Sequence, residues 1–174
     1  LGVDLQRGSG TVRAWADVVQ GQWQGAVADL ALSQVQVGLG AGLQPLAMRA
    51  VQGRLTGRPL TGGLALAVQA LSFDTQDGLH WPASDISFQH QGAQGTLAAH
   101  GEFKADQLDL AALAQIANRL PLNAELRAAL LAHAPKGLVR PLQLNWQGEL
   151  SALRSYSAQG QVSQLALTSA TLPG

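Results

Sequence analysis

Apolar and polar residues alternate with a period of two along most of the chain, in short stretches broken by Gly, Gln and Pro. Such alternation marks β-strands with one apolar and one wet face. Residues 141–150, PLQLNWQGEL, carry it most clearly. Leu142, Leu144, Trp146, Gly148 and Leu150 share one parity, and Gln143, Asn145, Gln147 and Glu149 the other. Residues 11–18 set Val12, Ala14, Ala16 and Val18 against Thr11, Arg13, Trp15 and Asp17. Leu30 and Leu32 lie on one parity but Val35, Val37 and Leu39 on the other, so a bulge or tight turn is expected at Ser33-Gln34. Leu64, Leu66 and Val68 form a further face, and Ile86, Phe88 and His90 another. A strand over residues 96–103 is expected after the turn-like residues 91–95, with two weaker strands at 157–161 and 165–168. Strands over about residues 1–104 and 138–170, joined by short Gly-containing turns, predict a mainly β fold, an antiparallel meander rather than β-α-β units.

Between these regions the period lengthens to three and four. Leu110, Leu113, Ile116, Ala117 and Leu120 recur at helical steps behind Asp109, a predicted N-cap, and Pro121 stops the run. Asn123 can cap a second helix bearing Leu126, Ala129, Leu130 and His133 on one side, ended by Pro135 and Gly137. The pattern predicts an inserted helical hairpin over about residues 107–134. Each helix has one apolar stripe, so both are expected to lie against the sheet.

Composition narrows the classes of function. The 174 residues hold 11 Lys+Arg against 11 Asp+Glu, which gives no electrostatic reason to bind nucleic acid or anionic membrane surfaces. Charged residues are 13%, about half the usual share of roughly 25%. Amides take their place, with 20 Gln against 2 Lys. No apolar run approaches the roughly 20 residues that span a bilayer. Twenty glycines do not suit a helical bundle, and the absence of cysteine removes disulfides, thiol nucleophiles and Cys-based metal sites. The chain starts mid-pattern at Leu1 and stops at Leu172-Pro173-Gly174, so it is expected to be a piece of a longer protein.

Catalytic chemistry finds no support. His90 and His100 are placed to face each other across the turn at 91–95, as a metal pair would, but no Asp or Glu completes a ligand set; surface histidines are the plainer reading. Gly38-Leu39-Gly40-Ala41-Gly42 has the glycines of a phosphate loop without its Lys-Ser/Thr or its strand–loop–helix setting, and is expected to be a turn. Asp74 and Asp77 flank a turn, Asp85 has no acid partner, and no serine sits in a nucleophile elbow. Basic residues are scattered singly without aromatic interleaving. No metal or cofactor is expected. The apolar strand face remains, either as a core filled by its own side chains or as a curved surface open to a hydrophobic ligand. Ala65, Ala67, Ala70, Ala98 and Ala99, with only 5% aromatic residues, leave room for the second.

The order of these features resembles a known family. FDTQDGLHWP (residues 73–82), a strand ending in Gly101-Glu102-Phe103, ADQLDLAALAQIANRLPL (105–122) and APKGLVRPLQLNWQGEL (134–150) together resemble the central region of the YhdP proteins. These are large AsmA-like envelope proteins of Gram-negative bacteria, and the likeness extends over nearly all of the chain. It is most specific in the helical hairpin, the following Pro-x-Gly and the strand ending in Trp-x-Gly. The resemblance implies a taco-like β groove with a hydrophobic interior, in a parent anchored to the inner membrane and extending through the periplasm. It implies carriage of phospholipid toward the outer membrane, and no enzyme activity. On this view the partners are phospholipid acyl chains, flanking segments of the same chain and envelope proteins at either membrane. Strand parity then nominates Leu64, Leu66, Val68, Ile86, Phe88, Leu142, Leu144 and Trp146 as groove-lining residues. The alternative expectation is a passive structural spacer with a filled β core.

Overall fold

The computed structural model describes residues 4–150 and 152–167. The alternating stretches form long antiparallel strands: β1 (Asp4–Val19), β2 (Gln22–Gly38), β3 (Leu46–Leu60), β4 (Gly63–Thr75), β5 (His80–Gln91) and β6 (His100–Ala105). After β7 (Leu108–Asp109) come α1 (Leu110–Ile116) and α2 (Ala124–His133), then β8 (Lys136–Glu149) and β9 (Ala152–Ala166). Neighbours in sequence are neighbours in one curved, open sheet from β1 to β6, after which β8 and β9 complete it; β7 pairs with β8 beyond the end of β6. Two-residue hairpin turns, Gln20-Gly21 and Thr61-Gly62, join β1 to β2 and β3 to β4. Gln20, Gly21 and Gly62 adopt the positive φ that such turns need.

The phase flip in β2 is a bulge inside a continuous strand. Gln34 takes φ 52°, and Val35 and Val37 thereby return to the face of Leu30 and Leu32. A second bulge in β4 does the same at Ala70 (φ 49°), carrying Leu71 and Phe73 onto the face of Leu66 and Val68. The Asp85 carboxylate accepts the Ala70 N–H at 2.8 Å and so fixes this bulge from the neighbouring strand. Asp85 therefore has a structural partner in the backbone rather than an acid partner.

Three expectations need correction. The strand predicted over 96–103 begins only at His100, because residues 92–99 form a loop stabilised by the Gln94–Leu97 bridge. The two weak C-terminal strands are one, β9, bent at Gln164 (φ 55°); Thr168 lies outside the described residues. The third concerns the helices. Both caps form as the sequence predicts: Asp109 accepts from the N–H groups of Ala111 and Ala112, and Asn123 from that of Leu126. A 3₁₀ turn, Ala117–Arg119, ends α1 before Pro121. Yet α2 buries only Leu130, while Leu126 and Leu131 are exposed. Ten residues with a broad Ala-rich surface satisfy helical periodicity without defining a single packed stripe.

The closest packing lies where α1 meets one end of the sheet. Val35, Val37, Leu46, Met48, Phe73, Leu79 and Trp81 form a core with Ala112 and Ile116. Phe73 and Trp81 stack at 5.4 Å, and the Trp81 indole N–H donates to the Ser84 hydroxyl at 3.2 Å, which satisfies the buried nitrogen. Arg119 ties the insert to the β4–β5 turn through Asp77 at 2.5 Å.

Candidate functional site: the apolar face of the sheet

Antiparallel register places directly opposed residues on the same face. Pairing from strand to strand therefore reads out complete rows across the sheet. One row runs Ala16, Ala26, Gly57, Leu66, Phe88, Phe103, Leu144 and Ala158. The next runs Ala14, Ala28, Leu55, Val68, Ile86, Ala105, Leu142 and Gly160. A third, beyond the first, runs Pro59, Leu64, His90, Gly101, Trp146 and Tyr156. The eight residues nominated from parity thus fall on one face, in three adjacent rows. All eight are half-buried rather than sealed. At about 4.8 Å per strand, an eight-strand row extends for about 34 Å.

The rows are shaped by glycines facing tryptophans. Gly101 has no side chain, and the Trp146 indole lies over it to stack on Phe88 of the next strand, ring centres 5.6 Å apart. The same indole stacks on His90 at 6.2 Å. The Trp23 ring lies over Gly57 more loosely, its nearest atom 3.8 Å from where a Cβ would stand, an ordinary contact distance. Glycine in a strand interior signals such close approach. That signal could have drawn Gly57 and Gly101 into the site from sequence alone, whereas the overlooked Phe103 needed its pairing with Phe88. Leu55 and Ala105, also missed, needed the register.

The opposite face is a polar lattice. Glu102 accepts from the side-chain amides of Gln89 at 3.3 Å and Gln143 at 2.9 Å, and pairs with Lys104 at 2.8 Å. Arg54 meets Asp29 at 3.2 Å. Gln89 and Gln143 thus reach one shared carboxylate from the strands on either side of it, a cross-strand use of amides on a face with little charge.

The other candidate chemistry separates. His90 stands opposite Gly101 and His100 opposite Gln91, so the two histidines occupy adjacent register positions and point to opposite faces. They do not form a metal pair, and no cluster of three or more His, Asp or Glu able to hold a metal occurs among the described residues. Residues 39–42 form a turn, as predicted. Asp74 contacts His80 at 2.7 Å on the outer face, beside an open pocket of about 370 Å³ that Ser33 and Ser72 also line. Among the described hydrogen bonds neither serine hydroxyl reaches the imidazole, whose partner is Asp74. Asp77, held by Arg119 and Thr75, sits at the base of the insert, away from the three rows.

An open, curved antiparallel sheet with one continuous apolar face and a polar reverse defines the chain as a β-groove protein. More particularly, it belongs to the YhdP family: the family described as "YhdP protein" matches residues 1–174. That is a family of AsmA-like bacterial envelope proteins. No curated protein and no solved structure matches the chain. No described helix is long and apolar enough to cross a membrane.

Proposed function

We propose that this chain is one segment of a bridge-like lipid-transfer protein, in which the apolar face carries phospholipid acyl chains through the periplasm. The observation that supports this most directly is the composition of the three rows. They cross the sheet through mainly apolar residues, with His90 and Tyr156 as their ionisable side chains among the described residues, and the eight nominated residues within them are half-buried. An acyl chain moved through water needs unbroken apolar contact, worth about 0.8 kcal/mol for each CH₂ kept dry. Strands stacked side by side supply that contact continuously, while the amide lattice keeps the reverse face wetted. The exposed edges of β1 and β9 suit pairing with flanking segments of the same chain, within a parent anchored in the inner membrane. Transfer along such a surface requires no catalytic group, metal or cofactor.

The spacer reading draws on a different part of the same face. At the helical end, Ala112 and Ile116 are buried and pack in one core with Val35, Met48 and Phe73. The carrier reading therefore concerns the half of the face away from α1. Photo-crosslinking from position 144 in cells making the parent protein, compared with position 143, tests it. Lipid adducts at 144 and none at 143 are expected. Adducts to protein alone at 144, in a folded and functional variant, would replace the carrier with a filled spacer.

A further inference from the structure

The two ends of the apolar face differ. One is capped by α1; the other runs out to the strand turns, and there His90, Glu149, Trp146, Tyr156 and Arg154 gather where β8 turns into β9. A phospholipid lying on the three rows must place its headgroup outside them, since they offer no charge to pair with it. This rests on the carrier reading.

We propose that this rim is a subsite for a zwitterionic headgroup, an ammonium joined to a phosphate, carried by a phospholipid. The Trp146 indole N–H can only donate, so the His90 Nδ1 that it meets at 3.4 Å accepts. His90 Nε2 is then the protonated nitrogen and donates to Glu149 Oε2 at 3.3 Å. His90 is thus fixed between the indole and the carboxylate, with its side chain only 14% exposed, while Glu149 stays 55% exposed. The relay orients Glu149 and occupies one of its oxygens. The other is left to receive an N–H donor from solution.

Tyr156 stands opposite Trp146 in register and is 79% exposed, so the ammonium bound by Glu149 has two electron-rich rings beside it. The phosphate partner comes from a bulge. Gln147 pairs with Ser155 and Gly148 with Leu153, which leaves Arg154 as the extra residue of β9. Its Cγ lies 3.3 Å from where a Cβ on Gly148 would stand, so the guanidinium stem uses the space that glycine leaves beside Glu149. A carboxylate next to Gly148 in the chain and an arginine whose stem packs against Gly148 supply the two charges that an aminoethyl phosphate needs. An anionic headgroup such as phosphoglycerol would satisfy Arg154 and be repelled by Glu149.

The test uses the 174-residue chain and two short-chain lipids of identical acyl composition, dihexanoyl phosphatidylethanolamine and dihexanoyl phosphatidylglycerol, titrated below micelle formation by tryptophan emission and calorimetry. The chain should bind the ethanolamine lipid about fivefold more tightly, the scale of one exposed charge pair. Glu149→Gln should erase that preference by weakening the ethanolamine lipid and relieving the repulsion of the glycerol lipid, and Arg154→Gln should weaken both. Equal binding of the two lipids, or a preference unmoved by Glu149→Gln, overturns the subsite and leaves the carrier reading standing. Binding of neither lipid overturns both. Free O-phosphoethanolamine bound as tightly as its lipid would overturn the assignment to a lipid headgroup.

Discussion

Trp146 lies across Gly101, its register partner on β6, and reaches over that strand to stack on Phe88 of β5. One tryptophan thereby ties three strands together on the apolar face, and it can do so only because position 101 has no side chain. A Cβ at 101 would stand inside the indole and 2.6 Å from the Gln89 carbonyl oxygen. Gly101→Ala should therefore displace the ring and destabilise the fold by about 1–3 kcal/mol, the usual cost of overpacking. Urea unfolding gives the loss, and a red-shifted tryptophan emission reports the displaced indole. An unchanged midpoint and spectrum would mean that the indole does not rest on this glycine.

The helical insert should be held almost entirely by its first helix. Ile116 is 2% exposed among Val35, Met48 and Phe73, whereas Leu131 on α2 is 49% exposed. Ile116→Ala removes buried methylenes and leaves a cavity, at a cost of about 2–5 kcal/mol. Leu131→Ala removes the same class of group from water-exposed surface and should stay within about 0.5 kcal/mol. Thermal unfolding of the two variants side by side checks the contrast. Equal losses would show that α2 is packed against something as closely as α1.

How far the sequence revealed this fold follows from what each signal depends on. Alternation in residues 141–150 and the caps at Asp109 and Asn123 are local properties, and they predict β8, α1 and α2 correctly. The parity change at Ser33-Gln34 is also local, and it marks a bulge because the apolar residues on both sides still need one core. The start of β6 was not legible. Residues 96–99 alternate too weakly to show that pairing with β5 begins only when Gln91 meets His100. The same register error put His90 and His100 face to face, since one residue of slip moves a side chain to the other face. For the eight nominated residues, parity supplied membership of a face strand by strand. Their union into three rows needed the alignment of four strands, which no local pattern contains.

Asp77 provides a pH test of the contact that fastens the insert. The Arg119 guanidinium bonded to its carboxylate, helped by the Thr75 hydroxyl, lowers its pKa from the usual 3.8 to about 2. A depressed carboxylate favours the folded state in its ionised form. Its contribution is therefore complete above the unfolded value near 3.8 and disappears as pH falls toward about 2. Because the side chain is 53% exposed, solvent screening should hold that contribution to at most about 1 kcal/mol. Asp77→Asn should accordingly lower stability slightly at pH 7 and match the unsubstituted chain near pH 2. Arg119→Gln should raise the Asp77 titration midpoint toward 3.8, read from its carboxyl carbon shift by NMR. A midpoint already near 3.8 in the unsubstituted chain, or one that Arg119→Gln leaves in place, would show that this pair does not fasten α1 to the β4–β5 turn.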